Sequence, residues 1–287
     1  MSTPPSSLAQ LPIRRLTADD LLACADLSES RGWLREEHKW GHLLTAGTGY
    51  GIDDPTGRGL LTCCVVTSYG PGLAAIGMVL VAEQFARQGV GRRLMRHILA
   101  ETGDTPLTLY ATANGQPLYE QLGFVETSRA EMVCGQFTFT TPAPDVPVRP
   151  ATAEDLRAIL RLDREVFGLD RTHIITRLPA FADHLRVAEE DGEITGFAAA
   201  WPNMDTHVVG PLIAKDPATA KALIASLAAA TDRPLRTDID RRHTTLLSWV
   251  KENGIDSIAT TALMVRSLPD LPGDWRRRFA PLTVAAG

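Results

Sequence analysis

Arg87-Gln88-Gly89-Val90-Gly91-Arg92 is the stretch of this 287-residue chain best equipped for chemistry. Two glycines let the backbone turn tightly and bring its N–H groups close to a ligand, and a following helix offers unpaired amides at its positive end. Such a place suits a phosphate, and Arg87, Arg92 and Arg93 supply charge for one. The elements that position this loop are readable on either side. Met78 to Val81 is a continuous apolar run, as expected of a strand covered on both faces. Val90, Leu94, Ile98 and Leu99 recur at helical spacing.

Two familiar nucleotide loops are excluded. A dinucleotide-binding turn needs a third glycine, where Leu94 stands, and a carboxylate on the next strand, which Leu107-Thr108-Leu109-Tyr110-Ala111-Thr112 lacks. A Walker loop needs Gly-Lys-Ser/Thr, which is missing. Downstream, Thr112 to Phe124 reads as a turn, a short helix with Pro117 near its start, and Gly123 as its C-terminal stop.

Together these stretches resemble the GNAT superfamily of acyl-CoA N-acyltransferases over residues 12–139. The resemblance implies an α/β (α+β) fold whose mixed, mostly antiparallel sheet is flanked by helices. It implies acetyl-CoA as co-substrate with no metal, and transfer of the acetyl group to a primary amine of a small molecule. By the same resemblance the backbone of Val79, Leu80 and Val81 pairs with the pantetheine arm. The loop Arg87, Gln88, Gly89, Val90, Gly91 and Arg92 holds the pyrophosphate, and Tyr119 of Leu-Tyr-x-x-x-Gly-Phe protonates the departing thiolate. Two slots depart from the family pattern: Ala86 stands where Arg or Gln usually opens the loop, and Thr112 where Asn is frequent. Ile76 occupies a position that is a catalytic glutamate in some members, which leaves Glu37, Glu83 or ordered water as base. The alternative is a CoA-binding or partner-binding protein of GNAT fold without turnover.

Composition describes a soluble globular protein: 44% hydrophobic residues, net charge −5, no apolar run of membrane-spanning length and no basic region followed by an apolar one at the N-terminus. The expectation is a cytoplasmic protein with no nucleic-acid or membrane partner; its oligomeric state is not readable. Cys24, Cys63, Cys64 and Cys134 do not form a disulfide framework and fit reduced core thiols.

An internal repeat sets the domain organisation. Pro12-Ile13-Arg14-Arg15-Leu16-Thr17-Ala18-Asp19-Asp20-Leu21 recurs as Pro147-Val148-Arg149-Pro150-Ala151-Thr152-Ala153-Glu154-Asp155-Leu156, each a strand followed by a Thr-capped helix start. Val209 to Ala214 echoes Ile76 to Val81, and Glu252-Asn253-Gly254-Ile255 echoes Gln121-Leu122-Gly123-Phe124. The reading is a flexible tail (1–11), a catalytic GNAT domain (12–139), a proline-rich linker (140–147) and a degenerate GNAT-like domain (148–287). In the second copy Lys215-Asp216-Pro217 replaces the glycine loop and Val250 replaces Tyr119, so CoA is expected on the first copy alone.

Acceptor residues are sought in Ser30 to His42. Trp33 and Trp40 fall at helical i, i+7 spacing with Glu37 between them, a pairing suited to a cationic amine or, equally, to an amphipathic helix with its indoles in the core. Asp238 and Asp240 of the second copy are either further amine-selecting groups or solvated strand-end residues. His38 and His42 lack the glutamate of a zinc-binding helix.

Overall fold

A computed structural model describes residues 8–287, in two compact units, one ending at Thr105 and the other running from Pro106 to Ala285. In the first, β1 (Arg14–Leu16), β2 (Thr48–Asp53), β3 (Leu60–Ser68) and β4 (Ala74–Val81) pair antiparallel in that order. Helices α1 (Leu21–Ser30) and α2 (Glu37–Ala46) pack on each other and on β3, while α3 (Val90–Thr102) packs on β3 and β4. Every residue of β3 from Leu60 to Thr67 is buried, so helices cover both of its faces. That is why adjacent Cys63 and Cys64 are both core thiols, their pKa values raised by burial.

The expected tail divides. Residues 1–7 lie outside the described residues, whereas Leu8 and Leu11 pack beside Ile52, Leu61 and Val90. Arg93 fastens them, donating to the carbonyl of Leu8 at 3.0 Å and to that of Leu11.

The second unit begins with β5 (Leu107–Ala111), α4 (Gln116–Glu120) and β6 (Val125–Gly135). It continues through β7 (Val148–Pro150), α5 (Leu156–Phe167), the short α6 (Thr172–Ile175) and α7 (Leu178–Phe181), β8 (His184–Glu190), β9 (Glu193–Asn203) and β10 (Thr206–Ala214). The chain then forms α8 (Pro217–Ala228), β11 (Leu235–Asp240), α9 (Thr244–Glu252), β12 (Asp256–Arg266) and β13 (Arg278–Ala280). Its sheet order is β5-β12-β6-β11-β10-β9-β8-β7, with β13 also paired to β10. All these pairs are antiparallel except β10 with β11.

This order exchanges strands between the two sequence repeats. β12 of the second repeat lies between β5 and β6 of the first, pairing Leu263 with Tyr110 on one side and with Ser128 on the other. Reciprocally, β6 lies between β12 and β11, its Ala130 opposite both Thr261 and Asp240. The linker's Thr141 is held by the Asn253 side chain at 3.0 Å, and Val146 packs on the core of α8 and α9. Interleaving explains why residues 106–139 belong to the same compact unit as the second repeat.

Each repeat opens with the same electrostatic clamp. Arg14 grips Asp20 through Nη1 at 3.0 Å and Nη2 at 2.7 Å, and reaches Asp53 of β2; Arg149 grips Asp155 at 2.7 and 2.9 Å and reaches Glu189 of β8. The carboxylate also accepts from the backbone N–H of Thr17 or Thr152, closing a capping box. One arginine thus ties a first strand, a helix start and the neighbouring strand. Hydrogen bonds from Arg149 hold the buried Asp155 carboxyl well below the usual carboxylate range. A depressed folded-state pKa stabilises the fold above the unfolded value of ~3.9, and the contribution is lost as pH falls through the folded-state value. Asp155→Asn keeps the cap's shape and removes the charge. Because Arg149 is half exposed, the expected cost at pH 7 is modest, about 1–2 kcal/mol in urea unfolding, and the gap from wild type should close as the pH is lowered below about 4. A gap that persists unchanged at pH 3 would refute the ion-pair explanation.

Candidate active site

The strand that leads into the loop is bulged. Pairing with β3 runs Val81 to Thr62 and Leu80 to Cys63, then resumes at Gly77 with Val65, so Met78 and Val79 together face Cys64. Met78 takes a left-handed φ of 54°, an unusual conformation for a long side chain and one that bends the strand out of its ladder. Two β3 side chains hold the bulge: Thr62 Oγ1 donates to the Leu80 carbonyl at 2.6 Å, and Cys63 Sγ to the Met78 carbonyl at 3.7 Å. Neither role is evident from composition. A signal existed in the repeat, because β10 slips register between Val209 and Leu212, at Gly210-Pro211, the counterpart of Gly77-Met78.

Beyond Val81 the chain makes a 3-10 turn over Glu83–Phe85 and enters the loop. Arg87 (φ 60°) and Gly89 (φ 80°) are both left-handed, which turns the backbone onto the start of α3. Gly89 is the N-cap and has no side chain with which to satisfy the first helical amides. Arg87, Gln88 and Gly89 are exposed, and Gln88 Nε2 donates to the Gln84 carbonyl at 2.9 Å, bracing the loop. A pocket of about 380 Å³ adjoins it, walled by Leu8 and Ala9 on one side and by Gln88, Gly89, Val90 and Arg92, Arg93 and Arg96 on the other. Arg93, expected as a phosphate contact, is committed to the carbonyls of Leu8 and Leu11. The wall is therefore built from Arg92 and Arg96 together with a tethered N-terminal segment.

The second repeat answers the same position differently. Asp216 is the N-cap of α8, and its Oδ1 accepts from the Thr219 N–H and the Thr219 hydroxyl, each at 2.8 Å. Burial raises the pKa of this carboxyl, but the hydrogen bonds from Thr219 outweigh it and keep the group below its usual range. A carboxylate thus covers the amides that the first repeat leaves open. Val250, at the place of Tyr119, is fully buried.

Tyr119 sits in α4, buried, with the ring of Phe124 edge-on at 6.1 Å. Gly123, at φ 85°, reverses the chain so that the Phe124 N–H bonds the Tyr119 carbonyl at 3.0 Å, which accounts for the spacing of Leu-Tyr-x-x-x-Gly-Phe. Gly254 repeats the turn at φ 86°.

The acceptor-side expectations need correction. Trp33 and Trp40 do not share a helix: Gly32 (φ 73°) and Glu36 (φ 34°) bend the chain, and α2 begins only at Glu37. Trp40 is wholly buried, its Nε1 donating to Ser28 Oγ at 3.0 Å, and so belongs to the core. Trp33 is 38% exposed. Glu37 pairs with Arg35 at 2.6 Å, sharing that guanidinium with Asp26 and Glu29, and Glu83 pairs with Arg31. Asp238 is buried, not a solvated strand end. Asp240 is bound by Ser128 Oγ at 2.7 Å and Arg242 Nη2 at 2.6 Å. Among the described residues no group of three or more His, Cys, Asp or Glu is placed to hold a metal, and no helix is long and apolar enough to cross a membrane.

Two family models, each described as an acetyltransferase (GNAT) domain, match residues 67–141 and 159–280. The chain belongs to the GNAT acetyltransferase family, with two such domains in tandem, and by class it is an acyltransferase. It is similar to an uncharacterized N-acetyltransferase, YitH, of Bacillus subtilis, 29% identical over 215 residues that cover 74% of this chain and 76% of the relative. Among solved structures, a putative acetyltransferase from Pyrococcus horikoshii aligns over 96% of both chains with a TM-score of 0.80 at 18% identity. A tandem GNAT protein from the clavulanic acid biosynthesis pathway aligns over 89% of this chain and 98% of its own, with a TM-score of 0.63 at 11% identity. At those identities the two structures speak to the fold alone.

The bulge provides a direct test. Thr62 is fully buried, and Thr62→Val keeps its shape while leaving the Leu80 carbonyl without that donor. Stability should fall by about 1–2 kcal/mol, measured by urea unfolding. An unaltered midpoint would mean that the ladder alone holds the bulge.

Proposed function

We propose that the chain transfers the acetyl group of acetyl-CoA to a primary amine of a small molecule, and that the first repeat, residues 12–139, carries the reaction. The observation that supports this most is the contrast between helix starts: α3 opens on an uncapped left-handed turn among arginines, whereas α8 is sealed by Asp216. An uncapped helix start with exposed amides favours a phosphate electrostatically; a carboxylate at the same place repels one.

In this reading the amides of Gln88 to Arg92 receive the pyrophosphate, and the pocket lined by Arg92 and Arg96 takes the coenzyme's remaining phosphate end. The edge of β4 at Val79, Leu80 and Val81 pairs with the pantetheine amides, and the bulge at Met78 turns a backbone N–H toward the thioester oxygen, where negative charge develops on attack. The neutral amine attacks the thioester carbon; collapse of the tetrahedral species breaks the C–S bond and the amine's proton passes to a base. Glu37 and Glu83 are both engaged in ion pairs, which favours ordered water as that base. Tyr119 supplies a proton to the leaving sulfur; with ordinary pKa values of ~10 for a phenol and ~8.5 for a thiol the transfer is only slightly uphill, within reach of a positioned hydroxyl. Trp33 and Glu37 remain the acceptor-side residues of this reading. The engagement of both candidate bases, Glu37 and Glu83, in ion pairs also favours a second reading, a CoA-binding protein without turnover.

Gly89→Glu adds a side chain at φ 80° and a negative charge at the pyrophosphate amides, and acetyl-CoA binding should be lost in calorimetry, while Ala218→Glu in α8 leaves it unchanged. Equal effects of the two changes would defeat the assignment to the first repeat. Tyr119→Phe preserves the packing on Phe124 and removes the hydroxyl that would donate the proton. Thiol release with acetyl-CoA and an amine library should then fall by about 10²-fold at unchanged coenzyme affinity. Coenzyme binding without thiol release for any amine would select the non-catalytic reading.

A further inference from the structure

In the second repeat β10 and β11 run side by side for only two residue pairs, His207 with Leu235 and Val208 with Arg236. From there β11 pairs with β6 through to Asp240, while β10 follows β9 to Ala214. Thr237 Oγ1 spans the point of divergence, donating to the Val209 carbonyl at 2.9 Å. Two strands that part in this way leave one edge of β10 unpaired, at Leu212 to Ala214. These are the repeat counterparts of Val79 to Val81.

That edge is occupied. β13 lies against both β10 and β11, pairing Ala280 with Leu212 and Arg278 with Ile213, and the Ala214 N–H donates to the Arg277 carbonyl at 3.0 Å. The segment is fixed from both sides: His243 Nε2 meets the Arg278 carbonyl at 3.0 Å, and Trp201 Nε1 donates to the Leu282 carbonyl at 3.2 Å. Phe279 is fully buried, its ring 4.2 Å from that of His243. The passage is so close that a Cβ on Gly210 would stand 2.3 Å from the Pro281 carbonyl oxygen, which leaves glycine as the residue that fits there.

We propose that the segment Arg278–Leu282 is an internal peptide ligand that closes the second repeat to acyl-CoA, leaving one coenzyme per chain. The pantetheine arm is a linear chain with two amides, so a strand edge reads it as it reads an extended peptide, and one edge cannot serve both. The plug and the Asp216 cap block the slot and the phosphate amides separately. The inference rests on the acetyl-CoA reading for the nature of the excluded ligand; the presence of the plug does not.

The test combines calorimetry of the full chain with acetyl-CoA and hydrogen exchange read by mass spectrometry. The expected result is one coenzyme per chain, with the amides of 212–214 and 278–280 protected to the same degree with and without acetyl-CoA. Phe279→Ala should raise exchange at 212–214 by about tenfold or more. Trp201→Phe, which removes the donor to the Leu282 carbonyl and keeps an aromatic ring beside Phe181, should raise it in the same direction if the first variant folds poorly. Two coenzymes per chain, coenzyme-dependent loss of protection at 278–280, or unchanged exchange in both variants would each overturn the proposal. No coenzyme bound at all would instead defeat the acetyl-CoA reading, while the exchange comparison still decides whether the plug holds.

Discussion

The exchange of β6 and β12 is the constraint on which the second compact unit depends. A central strand satisfies its backbone groups only if both neighbours are present, and β12 takes both of its neighbours, β5 and β6, from the C-terminal part of the first repeat. Thr108 reinforces the crossing with a side-chain bond to the Met264 carbonyl at 3.1 Å. The proline-rich segment after Thr140 is therefore a connection within a shared sheet, and the two copies found in the sequence do not coincide with the two compact units of the fold.

Within that frame the copies have diverged at their helix starts and kept their first turns. The arginine clamp is the same in both because it serves the fold: it joins a strand, a helix and a second strand at little cost in sequence. Nothing in the fold demands that the amides after β4 stay open, and in the second repeat they are closed by Asp216. Preservation of an uncapped, glycine-bearing turn in one copy only is what a ligand requirement, and not folding, would maintain.

How much could be read from the chain depended on the distance over which each feature is determined. The clamp spans six residues, and its Thr and Asp caps are legible as a motif. The glycine loop and the Leu-Tyr-x-x-x-Gly-Phe turn are local as well, their geometry set by left-handed residues that the sequence names. Misreadings arose where the signal was ambiguous or nonlocal. Spacing alone put Trp33 and Trp40 on one helix, although Gly32, a residue that breaks helices, stood next to Trp33. The pairing of Leu263 with both Tyr110 and Ser128 is set by register across distant segments, which no local pattern encodes. The same holds for β13, three residues whose place is decided by the edge they cover, and for Arg93, whose anchors lie at Leu8 and Leu11.

Interleaved strands also govern how the chain can fold as it is made. A nascent polypeptide leaves the ribosome from its N-terminus, and ordinary tandem domains fold one after the other as they emerge. Here β5 and β6 wait with unpaired edges until Asp256–Arg266 has been translated, because the strand that belongs between them comes almost last. Exposed edges of that kind are templates for wrong pairing, so the interval is one in which a nascent chain needs shielding. The same arrangement couples the copies in evolution: a duplicated module that lends a strand to its twin cannot be lost or shuffled alone, whatever becomes of its own ligand site.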